Sequence, residues 1–324
     1  MMNLMQQWLP RRTALRNLVP VLSLVAAVLF FYAIPPHPGL TLFDLRLVAV
    51  HAMIVGIAAM GMTFIIISGG IDLSVGSAIA LVSVATAIVL ERGGGPVFAL
   101  SVALGVGAVC GLYNGLLITI LRLPPFIATL GTLGFYRGVA KWMSGSIPIT
   151  APTQGLEAWV SPIPTPPIII FAPAVWLMLA LGVFLVVVLR YSILGQHAYA
   201  IGSNEATARL CGVRVARTKV AIYVLAGLLT GLAGLMQFAR LTQGDPTVAI
   251  GLELDIIAAV VIGGGSLSGG QGSILGTLTG AVLMAYLRNR STVLGWPNFV
   301  EEMIVGHIII VAVAVDRWRG GRAN

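Results

Sequence analysis

The chain has 324 residues, of which 58% are hydrophobic and 9% charged, and it carries 39 glycines. That composition excludes a soluble globular domain and points to an integral membrane protein. The net charge of +8 is spread over loops and tails, with no basic face interleaved with aromatics, so it reads as membrane topology rather than nucleic-acid binding.

A helix needs ~20 apolar residues to cross a bilayer. Hydropathy between charges and Pro/Gly clusters predicts spans at roughly 18–34, 48–68, 75–90, 97–121, 125–142, 168–189, 219–239, 252–263, 273–288 and 299–316. The expected fold is all-α: a polytopic membrane protein with about ten transmembrane helices in a single domain over 1–324. The first stretch follows Arg11 and Arg12 as a signal peptide would, but no small-x-small cleavage site precedes the PPHPG loop, so a retained helix is expected. The eighth stretch is short and ends in glycines. It is expected to be broken or re-entrant, a backbone tolerated at membrane depth only when buried in protein or lining a wet cavity.

Basic residues set the orientation. With the N-terminus in the cytoplasm, Arg11, Arg12, Arg16, Arg122, Arg190, Arg209, Arg214, Arg217, Lys219, Arg317, Arg319 and Arg322 lie inside, twelve of the nineteen Lys and Arg. This predicts cytoplasmic tails at 1–17 and 317–324, a Pro-rich external segment at Ser144–Pro167, and a polar internal loop at 190–219. Cys110 falls in a predicted span and Cys211 in the internal loop, which excludes a disulfide framework. His51 and His307 have no Cys, Asp or Glu partner at ligand spacing, so no metal site is expected. No triad or carboxylate dyad suggests enzymatic chemistry, and no cofactor is expected.

Residues Leu267 to Gln271 read LSGGQ, the signature of ATP-binding cassette (ABC) ATPases. A nucleotide site also needs a G-x-x-x-x-G-K-[ST] loop. Lys141 and Lys219 are the only lysines, and neither follows a glycine. The letters are better explained by an internal repeat. IISGGIDLSVGSAIAL (Ile66–Leu81) aligns with VVIGGGSLSGGQGSIL (Val260–Leu275), both containing Gly-Gly-x-(Asp/Ser)-Leu-Ser-x-Gly. Glycine breaks at corresponding places in two halves of a membrane protein point to a transport pathway, because unwinding frees backbone donors and acceptors. Taken singly, such glycines are more simply tight turns or close helix contacts.

Asp72 stands inside the first break, where a carboxylate costs ~2.5 to 3.5 kcal/mol on insertion scales. It reads either as a hydrogen-bond acceptor on the path or as a cap for the third span, and the two are compatible. Glu253 and Asp255 fall at the very start of the eighth span and read as decoration of a helix start.

Four motifs carry a resemblance: GMTFIIISGGIDLSVGSAIA (Gly61–Ala80), GLYNGLLI followed by PPFIATLGTL (Gly111–Leu133), HAYAIGSNEATARLCGV (His197–Val213) and ELDIIAAVVIGGGSLSGGQGSILGTLTGA (Glu253–Ala281). In this order they resemble the permease subunits of bacterial ABC importers for monosaccharides of the ribose, xylose, arabinose and galactofuranose type, over residues 45 to 316. The chain departs at GGGSL, where many relatives have threonine third, and at Arg288 to Arg290, where Asn-Gly is common. The resemblance implies a permease of the inner membrane, in contact with lipid, that pairs with a second permease chain, a cytoplasmic ABC ATPase and a periplasmic sugar-binding protein. It marks Gly69, Gly70, Asp72, Ser74, Asn114, Gly263, Gly264, Ser266 and Ser268 as candidate pathway residues. It also gives a role to SNEATARLCGV, whose Ser/Asn start, helix-forming Glu205 to Leu210 and terminating Gly212 predict a short helix. Asn204, Glu205, Ala206, Arg209 and Gly212 are then candidates for coupling to the ATPase. The alternatives are a related permease for branched-chain amino acids or another small polar solute, and a secondary transporter, for which Asp72 alone is thin support.

Overall fold

Each apolar stretch read from the hydropathy overlaps a helix of the computed structural model, which describes residues 20–34, 40–166 and 169–320. The long and medium helices are α1 (Pro20–Ala33), α2 (Leu42–Ile67), α3 (Val75–Glu91), α4 (Pro96–Thr119) and α5 (Pro125–Ser144). After β1 (Ile149–Thr150) and α6 (Glu157–Val160) come α7 (Pro173–Tyr191), α8 (Ile193–Ser203), α9 (Glu205–Leu210) and α10 (Val215–Leu241). β2 (Gln243–Gly244), α11 (Leu252–Ile262), α12 (Ile274–Val293) and α13 (Asn298–Gly320) complete the chain. Among the described residues, α2, α4, α7 and α10 are long and apolar enough to cross a membrane, and α1 and α3 are apolar but shorter.

Local chemistry fixes the helix ends. α2 starts at Leu42 rather than near residue 48, because Thr41 and Asp44 form a capping box: Thr41 Oγ1 accepts the Asp44 N–H at 3.1 Å, and the Asp44 carboxylate accepts the Thr41 N–H at 3.0 Å. Arg46 does not interrupt the helix, since its Nε donates to the Ile170 carbonyl at 2.8 Å. Proline opens α4, α5 and α7 at their first turns, where its missing N–H costs nothing.

α2 is the central post, buried along most of its length, with α10 and α12 packed against it. The most intimate pair is α4 with α10. Gly107 and Gly111 face Gly227 and Gly231, and a Cβ at any of the four would collide with backbone across the seam. Small residues four apart let two helix backbones approach closely, a common solution where lipid provides no hydrophobic drive.

The two ends of the bundle are built differently. At one end β1 pairs antiparallel with β2, Ile149 opposite Gly244, and Arg290 lies 3.5 Å from Asp44. At the other end α8 and α9 hang between α7 and α10. The predicted polar loop at 190–219 is therefore mostly helical: α7 runs through Tyr191, α8 fills the eleven residues after Ser192 and α10 begins at Val215. The predicted C-terminal tail is likewise shortened, because α13 continues to Gly320. The predicted N-terminal tail with Arg11, Arg12 and Arg16, and also Arg322, lie outside the described residues.

Candidate functional site

Each glycine break begins as a helix terminator. At the end of α2 the Gly69 N–H donates to Ile66 and the Gly70 N–H to Ile65; at the end of α11 the Gly264 N–H donates to Val261 and the Gly265 N–H to Val260. These are paired Schellman bonds, and Gly69 (φ +75) and Gly264 (φ +90) hold the left-handed position that glycine favours. The structural match is thus Gly69 with Gly264, one residue out of register with the sequence alignment. Beyond the terminators the sequence alignment returns. Asp72 Oδ1 accepts the Ser74 N–H at 2.8 Å, and at the aligned position Ser266 Oγ accepts the Ser268 N–H at 3.3 Å.

The two breaks meet. The Gly270 N–H donates to the carbonyl of Ile67, the last residue of α2, and Gly202 of α8 is wedged against both, with no room for a Cβ between Ile67 and Gly270. Gly263 packs against Gly276 at the start of α12. Of the candidate glycines, Gly263 is locked in close backbone contact and Gly70 lies against the Tyr223 hydroxyl, whereas Gly264 has open space around it, and the Gly270–Ile67 bond joins the two copies of the repeat.

Asp72, Ser74 and Asn114 are gathered into one buried cluster. Ser74 Oγ donates to Asp72 Oδ1 at 2.6 Å, and Asn114 Nδ2 donates to Ser74 Oγ at 2.9 Å and to Asp72 Oδ2 at 3.3 Å. Asn114 Oδ1 in turn accepts from Thr132 Oγ1 at 2.7 Å and lies 3.1 Å from the Tyr136 hydroxyl. The loop carbonyl of Ile71 accepts the Tyr223 hydroxyl at 3.1 Å. The carboxylate takes one free N–H ahead of α3, that of Ser74, rather than several; the Ser74 hydroxyl adds a second local bond, and the Asn114 amide ties the loop to α4. Buried polar groups are costly unless satisfied; here the sequence spends Ser74, Asn114, Thr132 and Tyr136 on satisfying one aspartate.

The candidate coupling residues form a compact unit. Asn204 caps α9, its Oδ1 accepting the Thr207 N–H at 2.9 Å. Gly212 (φ +87) closes the helix with Schellman bonds from Gly212 to Arg209 and from Val213 to Ala208. Glu205 is paired on two sides, with Arg209 at 2.8 Å and Lys219 at 2.7 Å. Ala206 and Arg209 are exposed, and so is Leu210 at 89%, which leaves an apolar side chain standing on the open face of α9.

Residues 45–313 match the family described as the branched-chain amino acid transport system permease component. The chain belongs to this family. The permease is 41% identical over 312 residues to the ribose import permease protein RbsC of Bacillus subtilis, covering 94% of this chain and 93% of that one. It is 35% identical over 306 residues to the fructose import permease protein FrcC of Rhizobium meliloti, covering 93% and 85%. With the inner membrane ABC transporter permease protein YjfF of Escherichia coli it shares 37% identity over 319 residues, covering 93% and 92%. No solved structure shows significant similarity to the chain.

Three features of the permease escape the sequence reading. Lys219, read only as a topology charge, is the partner of Glu205. Asp255, read as helix decoration, is buried and pairs with Arg288 at 2.8 Å, while Arg288 Nε reaches Glu301 at 2.7 Å. α8 is a helix whose Ser192 cap accepts the Gly195 N–H at 3.2 Å; Ser192 was the available signal for it.

Proposed function

We propose that this chain is the membrane-spanning subunit of an ABC importer that moves a monosaccharide across the bacterial inner membrane without chemical change. The observation that carries the reading is similarity along more than nine-tenths of the chain to permeases named for ribose import and, elsewhere, for fructose. In this reading the chain crosses the membrane about ten times with α8 and α9 in the cytoplasm. The pathway candidates are the two breaks with Asp72, Ser74 and Asn114, and α9 meets a partner ATPase through Asn204, Glu205, Ala206, Arg209 and Gly212. A second permease chain and a periplasmic binding protein complete the assembly. The close backbone packing of the breaks fits an inward gate that is shut in this conformation.

The test is uptake into proteoliposomes holding the permease with its neighbouring ATPase and binding protein, offered labelled ribose, fructose and leucine in turn. ATP-dependent entry of a sugar is expected. Entry of leucine but of no sugar would overturn the proposal in favour of amino-acid transport, and sugar entry without the ATPase would overturn it in favour of a secondary transporter.

A further inference from the structure

At the end of the bundle that carries α8 and α9, a recess of about 520 Å³ opens between the start of α1, the last turns of α7, α8 and the first turns of α12. Its volume falls within the ~300–1,000 Å³ of small-molecule sites. The depth is apolar, lined by Val186 and Leu189 of α7 and Ile274 of α12. Val21 of α1 and Leu275 of α12 stand at the mouth, 46% and 64% exposed, and their neighbours Leu22 and Val187 are exposed as well. The mouth therefore opens on the apolar flank of the bundle, the surface that meets acyl chains in a membrane protein.

The lip is polar and positive. Arg190, in the last turn of α7, and Gln196 of α8 line the same recess, and both are exposed. Among the described residues no carboxylate lines the recess and none pairs with Arg190, whose guanidinium lies over the neighbouring Tyr191 ring at 5.8 Å. The surrounding segment offers it no counter-charge either. From Arg190 to Lys219 the chain has five basic residues and one acid, Glu205, and Arg209 and Lys219 already hold that acid. An apolar chamber with an unpaired guanidinium at its lip complements an amphiphile that has an apolar tail and an anionic head.

We propose that this recess is a binding site for an anionic phospholipid, with the headgroup phosphate on Arg190 and Gln196 and an acyl chain between α7 and α12. The guanidinium fork suits phosphate oxygens, and basic residues at a membrane surface attract anionic lipids. A soluble anion would leave the apolar depth unfilled. A zwitterionic lipid would fill the depth but set its own ammonium against Arg190. The floor of the recess gives the lipid a place in the machinery, because it belongs to the second break. Gly272 and Gly276 line it, with Gly276 pressed on Gly263 so that neither has room for a Cβ, and Tyr199 of α8 lines it too, donating to the Gly272 carbonyl at 2.8 Å. A lipid seated there touches α8 and the second break at once and braces α7 against α12.

The proposal takes the chain's orientation from the import reading, but its test measures lipid binding alone, so either can fail without the other. The full-length chain in detergent is titrated with phosphatidylglycerol or with phosphatidylcholine of the same acyl chains and followed by native mass spectrometry. The first phosphatidylglycerol should bind more tightly by about fivefold, the preference that one basic residue gains near an anionic surface. Arg190→Gln should erase that preference. Arg122→Gln, just beyond α4 at the same end of the bundle, should keep it. Leu275→Trp narrows the mouth at an exposed position and should weaken both lipids without lowering the amount of folded protein. Equal binding of the two lipids by the wild type, or a preference that survives Arg190→Gln, would overturn the site. So would a preference lost as much in Arg122→Gln, which would mean diffuse attraction, or one lost only when residues 2–17 are deleted, which would assign it to Arg11, Arg12 and Arg16. Competition by glycerol phosphate at the concentration of the lipid would show a site for free anions and would also overturn it.

Discussion

Gly111 of α4 faces Tyr223 of α10 so closely that a Cβ on the glycine would collide with the tyrosine carbonyl. The same tyrosine sends its hydroxyl to Ile71 in the first break, so the glycine seam sets where the break is held. Gly111→Ala should force α4 and α10 apart at a cost of ~1 to 3 kcal/mol, typical of overpacking. A lowered melting temperature in detergent, with Gly105→Ala on the open side of α4 as the unaffected control, is the expected result.

Asp72 should tolerate amidation better than truncation. Asp72→Asn keeps an acceptor for the Ser74 N–H and hydroxyl and gives up only the longer contact with Asn114, a loss of ~1 kcal/mol. Asp72→Ala leaves the Ser74 N–H and hydroxyl without their acceptor in a buried site, at ~1 to 3 kcal/mol for each group left unsatisfied. Sugar uptake at equal protein level should rank wild type, then Asn, then Ala. Equal uptake by wild type and Asp72→Ala would remove both the bracing and the pathway roles.

LSGGQ should be inert towards nucleotide. In this chain it is part of a loop bonded to Ile67 and packed on Gly202, with Gly269 (φ +88) and Gly270 (φ +70) in left-handed positions. The purified chain should give no heat on titration with ATP, and Ser268→Ala should leave the partner's basal hydrolysis unchanged.

Glu205 predicts a flat pH response. The hydrogen bond from Lys219, with Arg209 beside it, holds its carboxyl below the ordinary 4.5. A carboxyl whose pKa is lowered on folding contributes its stabilisation above the ordinary value and loses it as the pH falls toward the folded value. A photo-crosslink to the ATPase from a benzophenone attached beforehand at Ala206→Cys, with Cys110 and Cys211 replaced, should thus form equally well from pH 8 down to about 5 and fail only in stronger acid. Glu205→Lys would place a third positive charge beside Lys219 and Arg209, and should abolish the crosslink at every pH without lowering the amount of inserted protein.

Gly212→Val should be the more damaging change at the other end of α9. A branched residue resists the left-handed geometry that Gly212 holds, so the chain would leave α9 in the wrong direction. Loss of sugar-stimulated ATP hydrolysis with normal membrane insertion is expected. Retained stimulation would mean that α9 does not carry the signal.

What could be read in advance follows a physical division. Hydropathy finds the helices because each must bury or expose a continuous apolar surface, and caps such as Asn204 and terminators such as Gly212 act within a few residues of themselves. The contacts that make a site act across the chain. Asp255 pairs with a residue on α12, Glu205 with one fourteen positions away, and nothing local distinguishes them from helix decoration. The glycines mislead in a related way. Their spacing marks both breaks, but only the packing reveals that Gly202, outside either repeat, is the residue both copies press upon.

That position has a mechanical consequence. Gly202 touches Ile67 and Gly270, and two residues later Asn204 begins α9. No long helix lies between the exposed segment and the two loops to flex and absorb a movement. A side chain at Gly202 would therefore wedge itself into the one contact that holds the two loops together, parting both copies of the repeat with a single substitution.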